Sequence, residues 1–409
     1  MKILFLTNLL PYPLDNGGKI KTYTTLSALS KGNHEIDLVC FSETKALNKS
    51  WQNEIEKLCT SVNQVYLKLT TTENMAYMVN MAMKSLFSMY SFGLYKYQSS
   101  QMRKVLQNLC NKKTYVCVYF DHLQLCVYKK MLKQLAPTAK MVLDEHNCEA
   151  LIMERNSKAT HNQVKKAFLK LESMKLRKFE SKMLQSMDMN IVLSKEDFLT
   201  LQKQCGENFQ NVIIPIGVKE CRVKKIEKQK KSKLNILFLG TLTWEANNQG
   251  LIWYLTNVMP LINEKKLCEK FYIVGKNPST EVKKLADQYK NVVITGYVES
   301  VDEYYEKCDC MVVPLFIGSG QRVKLIESFA KGMPAVSTTI GAEGLVATNM
   351  DNIMIANTAD EFIACIEKMV DSGVRKSISY KARICYEKNY SPSAITDKLN
   401  AIMEQIEKV

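Results

Sequence analysis

Short apolar runs punctuate the chain, and their length marks them more clearly than their period. "KILFLTNLL" at 2–10, "HEIDLVCF" at 34–41, "VYLKL" at 65–69, "YVCVYF" at 115–120 and "KMVLDEH" at 140–146 are each too short for an ordinary helix. Runs of this kind are the pattern of strands buried on both faces of a sheet. Longer mixed stretches separate several of them, as in "GGKIKTYTTLSALSKGN", read as a glycine turn leading into a helix. Strand and helix in alternation imply an α/β fold with a parallel, doubly wound sheet. The order restarts at 234 with "LNILFLGTL", a predicted helix over 246–258, then "KFYIVG", "VVITGYV", "CDCMVVPLF" and "MPAVST". Near the end, Ser391 stands as N-cap and Pro392 at the first position of a last predicted helix. Sheets of this type hold ligands beyond the carboxyl ends of their strands, and the two edges are expected to face each other across a central cleft.

The 409 residues suit two domains of about 200 residues each. The boundaries read as 1–218 for the first domain, 219–233 for a basic linker, 234–388 for the second domain and 389–409 for a terminal helix packing back toward the first. The linker, "KECRVKKIEKQKKSK", holds eight Lys or Arg against two Glu and reads as a solvated connection. The functional alternative is a patch for a membrane surface or nucleic acid, though no aromatic residues interleave for stacking on single strands.

Charge and cysteine usage narrow the setting. With 56 Lys and Arg against 41 Asp and Glu, the formal charge of +15 favours anionic partners. Thirteen cysteines sit mostly in apolar segments without any CxxC pair, and read as reduced core thiols of a cytosolic protein. "MKILFLTNLLPYP" lacks a small-residue cleavage site and reads as a buried strand and loop, not a signal peptide. No run of 18 uncharged apolar residues predicts a membrane span. Between 75 and 110, Met, Tyr and Phe are interspersed with Lys84, Lys96, Arg103 and Lys104. That stretch reads as core, with an interfacial patch on an anionic membrane as its functional alternative.

The chemistry concentrates in "GSGQRVKLIESFAKGMP" at 318–334. Helix N-termini carry partial positive charge and unpaired N–H groups, so a first turn normally favours acids. Here Arg322 and Lys324 stand at a predicted helix start. Gly318 and Gly320 remove side chains where backbone amides could approach a ligand. Without an anion these charges repel one another, and a diphosphate fits. Glu327, one turn deeper, can accept hydrogen bonds from two neighbouring hydroxyls, as on a ribose; the plain alternative is a surface ion pair with Lys324. Of the four histidines, His34, His122, His146 and His161, two follow strand ends. His146 is the first choice for a functional role and His122 the second, with Asp121, Asp144 and Glu145 beside them.

"PLFIGSGQRVKLIESFAKGMPAVSTTIGAEGL" resembles the donor-site signature of glycosyltransferase family 4, the glycosyl transferases group 1, whose members have the GT-B fold of two Rossmann-like domains. "LPYPLDNGGKIK", "LDEHN" and "LFLGTLTWEANNQGLIWYLTNVMPLI" are similar to further family segments, so the resemblance spans most of the chain. It implies an acceptor-side domain followed by a nucleotide-sugar donor domain. By the resemblance, Glu327 would hold the nucleotide ribose and Gly320, Arg322 and Lys324 would surround the diphosphate, with Gly318 and Ser319 also in the donor site. Gly240 and Thr241 match a turn near the phosphates, Tyr297 and Val298 the place of the base. Gly17 and Gly18 match a loop approaching the transferred sugar or the phosphates, and His146 a histidine at the transferred sugar. Three departures stand out. Ser319 replaces the family's usual first glutamate, the Arg and Lys often found just after Gly240 and Thr241 are missing, and Ile216 and Lys219 replace Asn and Asp in "IIPIGVK".

The activity so implied is retaining transfer of a hexose from a nucleotide-diphosphate sugar to a hydroxyl acceptor, with His146, Arg322 and Lys324 as catalytic residues. No cofactor and no metal are expected, since cationic side chains replace the ion. The resemblance implies bacterial surface polysaccharide or glycoconjugate synthesis, with a sugar or lipid-linked saccharide as acceptor. A cytoplasmic location follows, extending to the inner face of the membrane if contact with anionic lipid is made; nucleic acid is not an expected partner. A sugar-nucleotide epimerase of the same architecture and a non-enzymatic anion or nucleic-acid binder are the alternatives.

Overall fold

The computed structural model describes residues 1–43, 49–67, 83–85, 87–160, 162–206, 209–224, 226, 231–318 and 320–408. The chain forms two compact units, Met1–Gly217 with Ile395–Val409, and Val218–Ala394.

In the first unit, β1 (Lys2–Thr7), β2 (Glu35–Ser42), β3 (Ser61–Tyr66), β4 (Cys117–Asp121), β5 (Lys140–Glu145), β6 (Met189–Val192) and β7 (Asn211–Ile213) make one sheet. Their order is β3-β2-β1-β4-β5-β6-β7, every pairing parallel. Strand order reverses between β1 and β4, which makes the space above their carboxyl ends the natural ligand position. Alternation divides the side chains between two cores. Leu4 and Leu6 pack with Val118, Phe120 and Leu143 on one face, and Ile3 and Phe5 with Cys117, Tyr119 and Val142 on the other.

The helix Pro392–Lys408 covers that second face with Ile395, Leu399, Ile402, Met403 and Ile406, spaced at helical intervals. Each such buried aliphatic contributes about 1.5–3 kcal/mol by removal from water. The third strand lies at 61–66, earlier than the expected run at 65–69, because its Asn63 and Gln64 break the apolar pattern. The short strands β6 and β7 were hidden in the same way: Asn190 sits inside β6, its amide donating to the Leu184 and Gln210 carbonyls at 2.9 Å.

The second unit pairs β8 (Leu234–Leu239), β9 (Cys268–Val274), β10 (Val292–Gly296), β11 (Cys310–Val313), β12 (Ala335–Ser337) and β13 (Met354–Ile355) in the order β10-β9-β8-β11-β12-β13. This is the doubly wound dinucleotide-binding order, with its switch point between β8 and β11. The helix predicted over 246–258 is Glu245–Trp253, continuing through a wider π turn at Tyr254–Val258 into Met259–Glu264. Most described residues of the basic run at 219–233 are exposed, as a solvated connection requires, but two of its lysines are held. The Lys224 ammonium donates to the Tyr305 carbonyl at 2.9 Å and the Glu306 carbonyl at 2.7 Å, and Lys231 pairs with Asp309 at 2.9 Å. Among the described residues no helix is long and apolar enough to cross a membrane.

Candidate active site

At the switch point of the second unit, three chain segments converge. The first leaves β8 through Gly240 and Thr241. At Gly240 a Cβ would stand 2.7 Å from Asn247 Nδ2 and 2.8 Å from Lys324 Nζ, so any side chain here would displace both groups. Asn247, on the helix Glu245–Trp253, donates to the Thr241 carbonyl at 2.9 Å and accepts from Lys324 Nζ at 2.8 Å. The second segment leaves β9 at Gly275, which passes so close that a Cβ would lie 1.8 Å from the Gly240 carbonyl oxygen.

The third segment leaves β11. Gly318 and Gly320 take φ values of +111° and +77°, a region L side chains rarely adopt. The helix Val323–Lys331 then begins with Arg322 as its N-cap and no acid in its first turn. Arg322 is buried at 4% exposure, its guanidinium 5.4 Å from the Trp244 ring and packed against the Gly318 backbone. Lys324 Nζ also lies 5.0 Å from the Phe238 ring. Burial, with Arg322 adding repulsion against the pull of Glu327, brings Lys324 down to about 7. Burial raises the Glu327 pKa, with Lys331 and Lys219 opposing. Lys324 bonds Asn247, and among the described residues it forms no ion pair with Glu327.

A second cluster occupies the switch point of the first unit. Register places Thr7 of β1 beside Asp121 of β4, and Asp121 beside Asp144 of β5. The fully buried Asp121 accepts from Thr7 and Thr22 hydroxyls at 2.6 Å each through Oδ2, while His146 Nε2 lies 2.8 Å from Oδ1. His122, held at φ +126°, stacks on His146 with ring centroids 3.8 Å apart. Asp121, His122 and His146 bring ligand-type atoms within 4.8 Å of one another. Both Asp121 oxygens are already engaged by Thr7, Thr22 and His146, which builds a hydrogen-bonded cluster. Burial alone would raise the Asp121 pKa; the two histidines and the hydrogen bonds outweigh it and hold the carboxyl below its ordinary value. Burial, helped by His146 and Lys21 and opposed by Asp121, brings His122 down to about 3. Below, the buried Lys21 donates to Asp144 at 2.5 Å and Tyr119 to the same oxygen at 2.6 Å.

A basic, acid-free helix start on a doubly wound sheet asks for comparison with known nucleotide-dependent enzymes. Residues 233–372 match the family model described as Glycosyl transferases group 1. The match lies wholly within the second unit, which is thus similar to the group 1 glycosyltransferases. Over 96% of this chain and 97% of the relative, the sequence is 24% identical to an uncharacterized 44.6 kDa protein in the cps region of Klebsiella pneumoniae. The sucrose-phosphate synthase of Thermosynechococcus elongatus shares the fold with a TM-score of 0.72 at 14% identity, over 100% of this chain and 99% of that one. Anabaena HepE, solved in complex with UDP and glucose, gives 0.64 at 14% identity over 100% of both chains. Staphylococcus aureus TarM, in complex with fondaparinux, alpha-GlcNAc-glycerol and UDP, gives 0.62 at 13% identity over 98% and 99%. The fold is therefore that of the GT-B glycosyltransferases.

Against that fold, the residues singled out in the sequence separate into groups. Gly240, Thr241, Gly318, Gly320, Arg322 and Lys324 of the second unit surround one switch point, while Ser319 lies outside the described residues. Tyr297 and Val298 follow β10 and reach this row through the backbone: Gly275 donates to the Gly296 carbonyl and Gly240 to the Val274 carbonyl. Tyr297 itself is 73% exposed. Gly17 and Gly18 are not in a loop, as expected, but are the first two residues of the helix Gly17–Lys31, because Asn16 caps it by accepting from the Lys19 amide. A Cβ on Gly18 would lie 4.0 Å from His122 Nε2, which brings this turn to the histidine cluster. Sequence reasoning missed Trp244, Asn247 and Gly275, and also Thr7, Thr22 and Lys21. No motif announces them; the order "GTLTWEANN", with an amide six residues after the turn, was the one available signal.

Proposed function

We propose that the protein is a retaining, metal-independent hexosyltransferase that moves a sugar from a nucleoside diphosphate donor to a hydroxyl acceptor in bacterial surface polysaccharide or glycoconjugate synthesis. The observation that carries this reading is the pair of cations, Arg322 and Lys324, packed at an acid-free helix start beside Gly240. With Gly318 and Gly320 leaving the approach clear of side chains, they supply donors for a diphosphate whose charge grows as it leaves. One preorganised donor of this kind is worth about 3 kcal/mol in a water-excluded site. Glu327 would take the ribose hydroxyls, and Tyr297 and Val298 the base.

A stabilised diphosphate leaving group needs no carboxylic acid pair. In a front-face displacement the departing phosphate oxygen accepts the acceptor proton, so the new glycosidic bond forms on the side from which the old one breaks. His146, its Nε2 engaged by Asp121, would orient the transferred sugar. The cps-region relative supports a polysaccharide setting, and the UDP complexes of HepE and TarM make uridine diphosphate sugars the first donors to test. The purified protein, screened by thermal unfolding against uridine, guanosine and adenosine diphosphate sugars, should be stabilised by one base class. With that donor and an acceptor, NMR of the product should show the donor's anomeric configuration retained, and chelation by EDTA should leave the rate unchanged. A screen without any response would remove the donor site, and an inverted product would remove the front-face mechanism.

A further inference from the structure

The first unit holds a cavity of about 750 Å³ whose lining includes none of the residues assigned above to sugar transfer. It lies between the helices Lys129–Leu135 and Gln163–Ser186. Those helices run into β5 and β6, so their last turns lie toward the amino edge of the sheet. Asp121, His122 and His146 occupy the opposite, carboxyl edge. The size suits a small ligand, whose sites run to roughly 300–1,000 Å³.

The lining is of two kinds. Tyr90, Val127, Phe179 and Met183 make an apolar floor, and Lys129, Lys130, Lys133, Lys175, Lys178 and Lys182 form the rim, with no acidic side chain among the described lining residues. Two of the lysines are fixed in place: Lys129 Nζ donates to Ser186 Oγ at 2.9 Å and Lys175 Nζ to the Ser85 carbonyl at 2.6 Å. On the long helix, Val164, Leu171, Lys175, Lys178 and Lys182 fall on one face at spacings of three, four and seven residues. Beside the cavity mouth, Met89 is 84% exposed, and its neighbour Phe87 is 89% exposed. Isolated apolar side chains on a surface are ordinary, but two large ones beside a lysine-rimmed apolar cavity form an interfacial arrangement.

The chemistry selects the occupant. A free inorganic anion would use the rim and leave the floor wet, and a neutral apolar partner would leave six lysines repelling one another. An amphiphile with a phosphate head and an aliphatic tail uses both. We infer that this cavity seats one anionic phospholipid, its phosphate on the lysine rim and its acyl chain on the Phe179–Met183 floor, and so docks the first unit on an anionic bilayer. The membrane alternative read for the stretch at 75–110 is thereby moved: residues 75–82 and 86 lie outside the described residues, and of the rest Met89 and Tyr90 line the cavity.

Cosedimentation of the full chain with vesicles tests this, because each lysine near an anionic surface strengthens binding about five-fold. The protein should bind vesicles of phosphatidylglycerol in phosphatidylcholine and not phosphatidylcholine alone. Lys178→Glu with Lys182→Glu should weaken partitioning at least about 10-fold, and Phe87→Ser with Met89→Ser should weaken it at unchanged thermal midpoint. Monomeric short-chain phosphatidylglycerol should raise the midpoint of the wild type and not of the Lys178/Lys182 variant. Protection by nucleoside diphosphate sugars should be the same in all forms, which keeps this test separate from that of the donor site. Equal binding to neutral vesicles, undiminished binding by the charge-reversed variant, or displacement by an oligonucleotide without any response to monomeric lipid would each overturn the inference.

Discussion

Lys324 Nζ donates to Asn247 Oδ1 at 2.8 Å, tying the first turn of the helix Val323–Lys331 to the helix that follows β8. Asn247 is itself anchored on the Thr241 carbonyl, so the ammonium is aimed by bonds that begin at a strand end. Lys324→Met should lower transfer about 100-fold, the loss expected for one preorganised donor. The same change removes a half-buried cation and should raise the thermal midpoint of the free protein at pH 6. Steady-state rates and thermal unfolding measured on one preparation check both; near-normal turnover would take Lys324 off the diphosphate.

The depressed pKa of Lys324 sets a pH dependence whose sign can be worked out. In the unfolded chain this lysine keeps its ordinary value near 10.5, and in the folded protein it titrates at about 7. The unfolded state therefore binds more protons between those values, and the contribution of Lys324 to stability rises with pH across that window. A bound diphosphate favours the charged form and returns the proton. Calorimetry at pH 8 in two buffers of different ionisation enthalpy should show uptake of up to about one proton per nucleoside diphosphate bound. The uptake should vanish in Lys324→Met. Binding heats independent of the buffer would show that the ammonium is already charged in the free protein.

Two glycines of the same row should respond differently to alanine. At Gly240 the new Cβ meets the far ends of Asn247 and Lys324, which can move, so Gly240→Ala should weaken nucleotide affinity more than 10-fold while the fold survives. At Gly275 it meets the Gly240 backbone oxygen at 1.8 Å, which cannot yield without displacing a strand end. Gly275→Ala should therefore lose solubility or thermal stability outright. Titration calorimetry and circular dichroism distinguish the two results, and a Gly240→Ala protein with wild-type affinity would place the phosphates elsewhere.

His122 should make the protein acid-sensitive. Its folded-state value of about 3 lies below the ordinary 6.5, so the unfolded state takes up the proton first and stability falls as pH drops from 6.5 toward 3. His122→Asn should narrow the difference in thermal midpoint between pH 7 and pH 4; an unchanged difference would assign the acid sensitivity to other groups.

Much of the donor half was legible because its signals are local. Runs such as "ILFL" and "MVV" declare buried strands by composition alone, and Gly318, Gly320, Arg322 and Lys324 stand within seven residues of one another. Short strands with polar members escaped: β3 carries Asn63 and Gln64, β6 carries Asn190, and β13 has two residues. Their strand character comes from neighbours in the sheet, not from their own pattern. Gly17 and Gly18 read as a loop because glycine is a poor helix former, and the Asn16 cap overrode that preference.

What the sequence determined by itself is the alternation that yields two doubly wound sheets, and the excess of positive charge at one helix start. Both are set by residues close together in the chain, through periodicity and the helix dipole. Tertiary structure alone decided that Asp121 would gather Thr7, Thr22 and His146, positions up to 114 residues away. It also decided that Lys324 would meet Asn247 across 77 residues. Strand order and register choose such partners, and neither is written in any short stretch of the chain. A buried carboxylate or ammonium must find partners where the packed sheet leaves them, so only the assembled fold could name them.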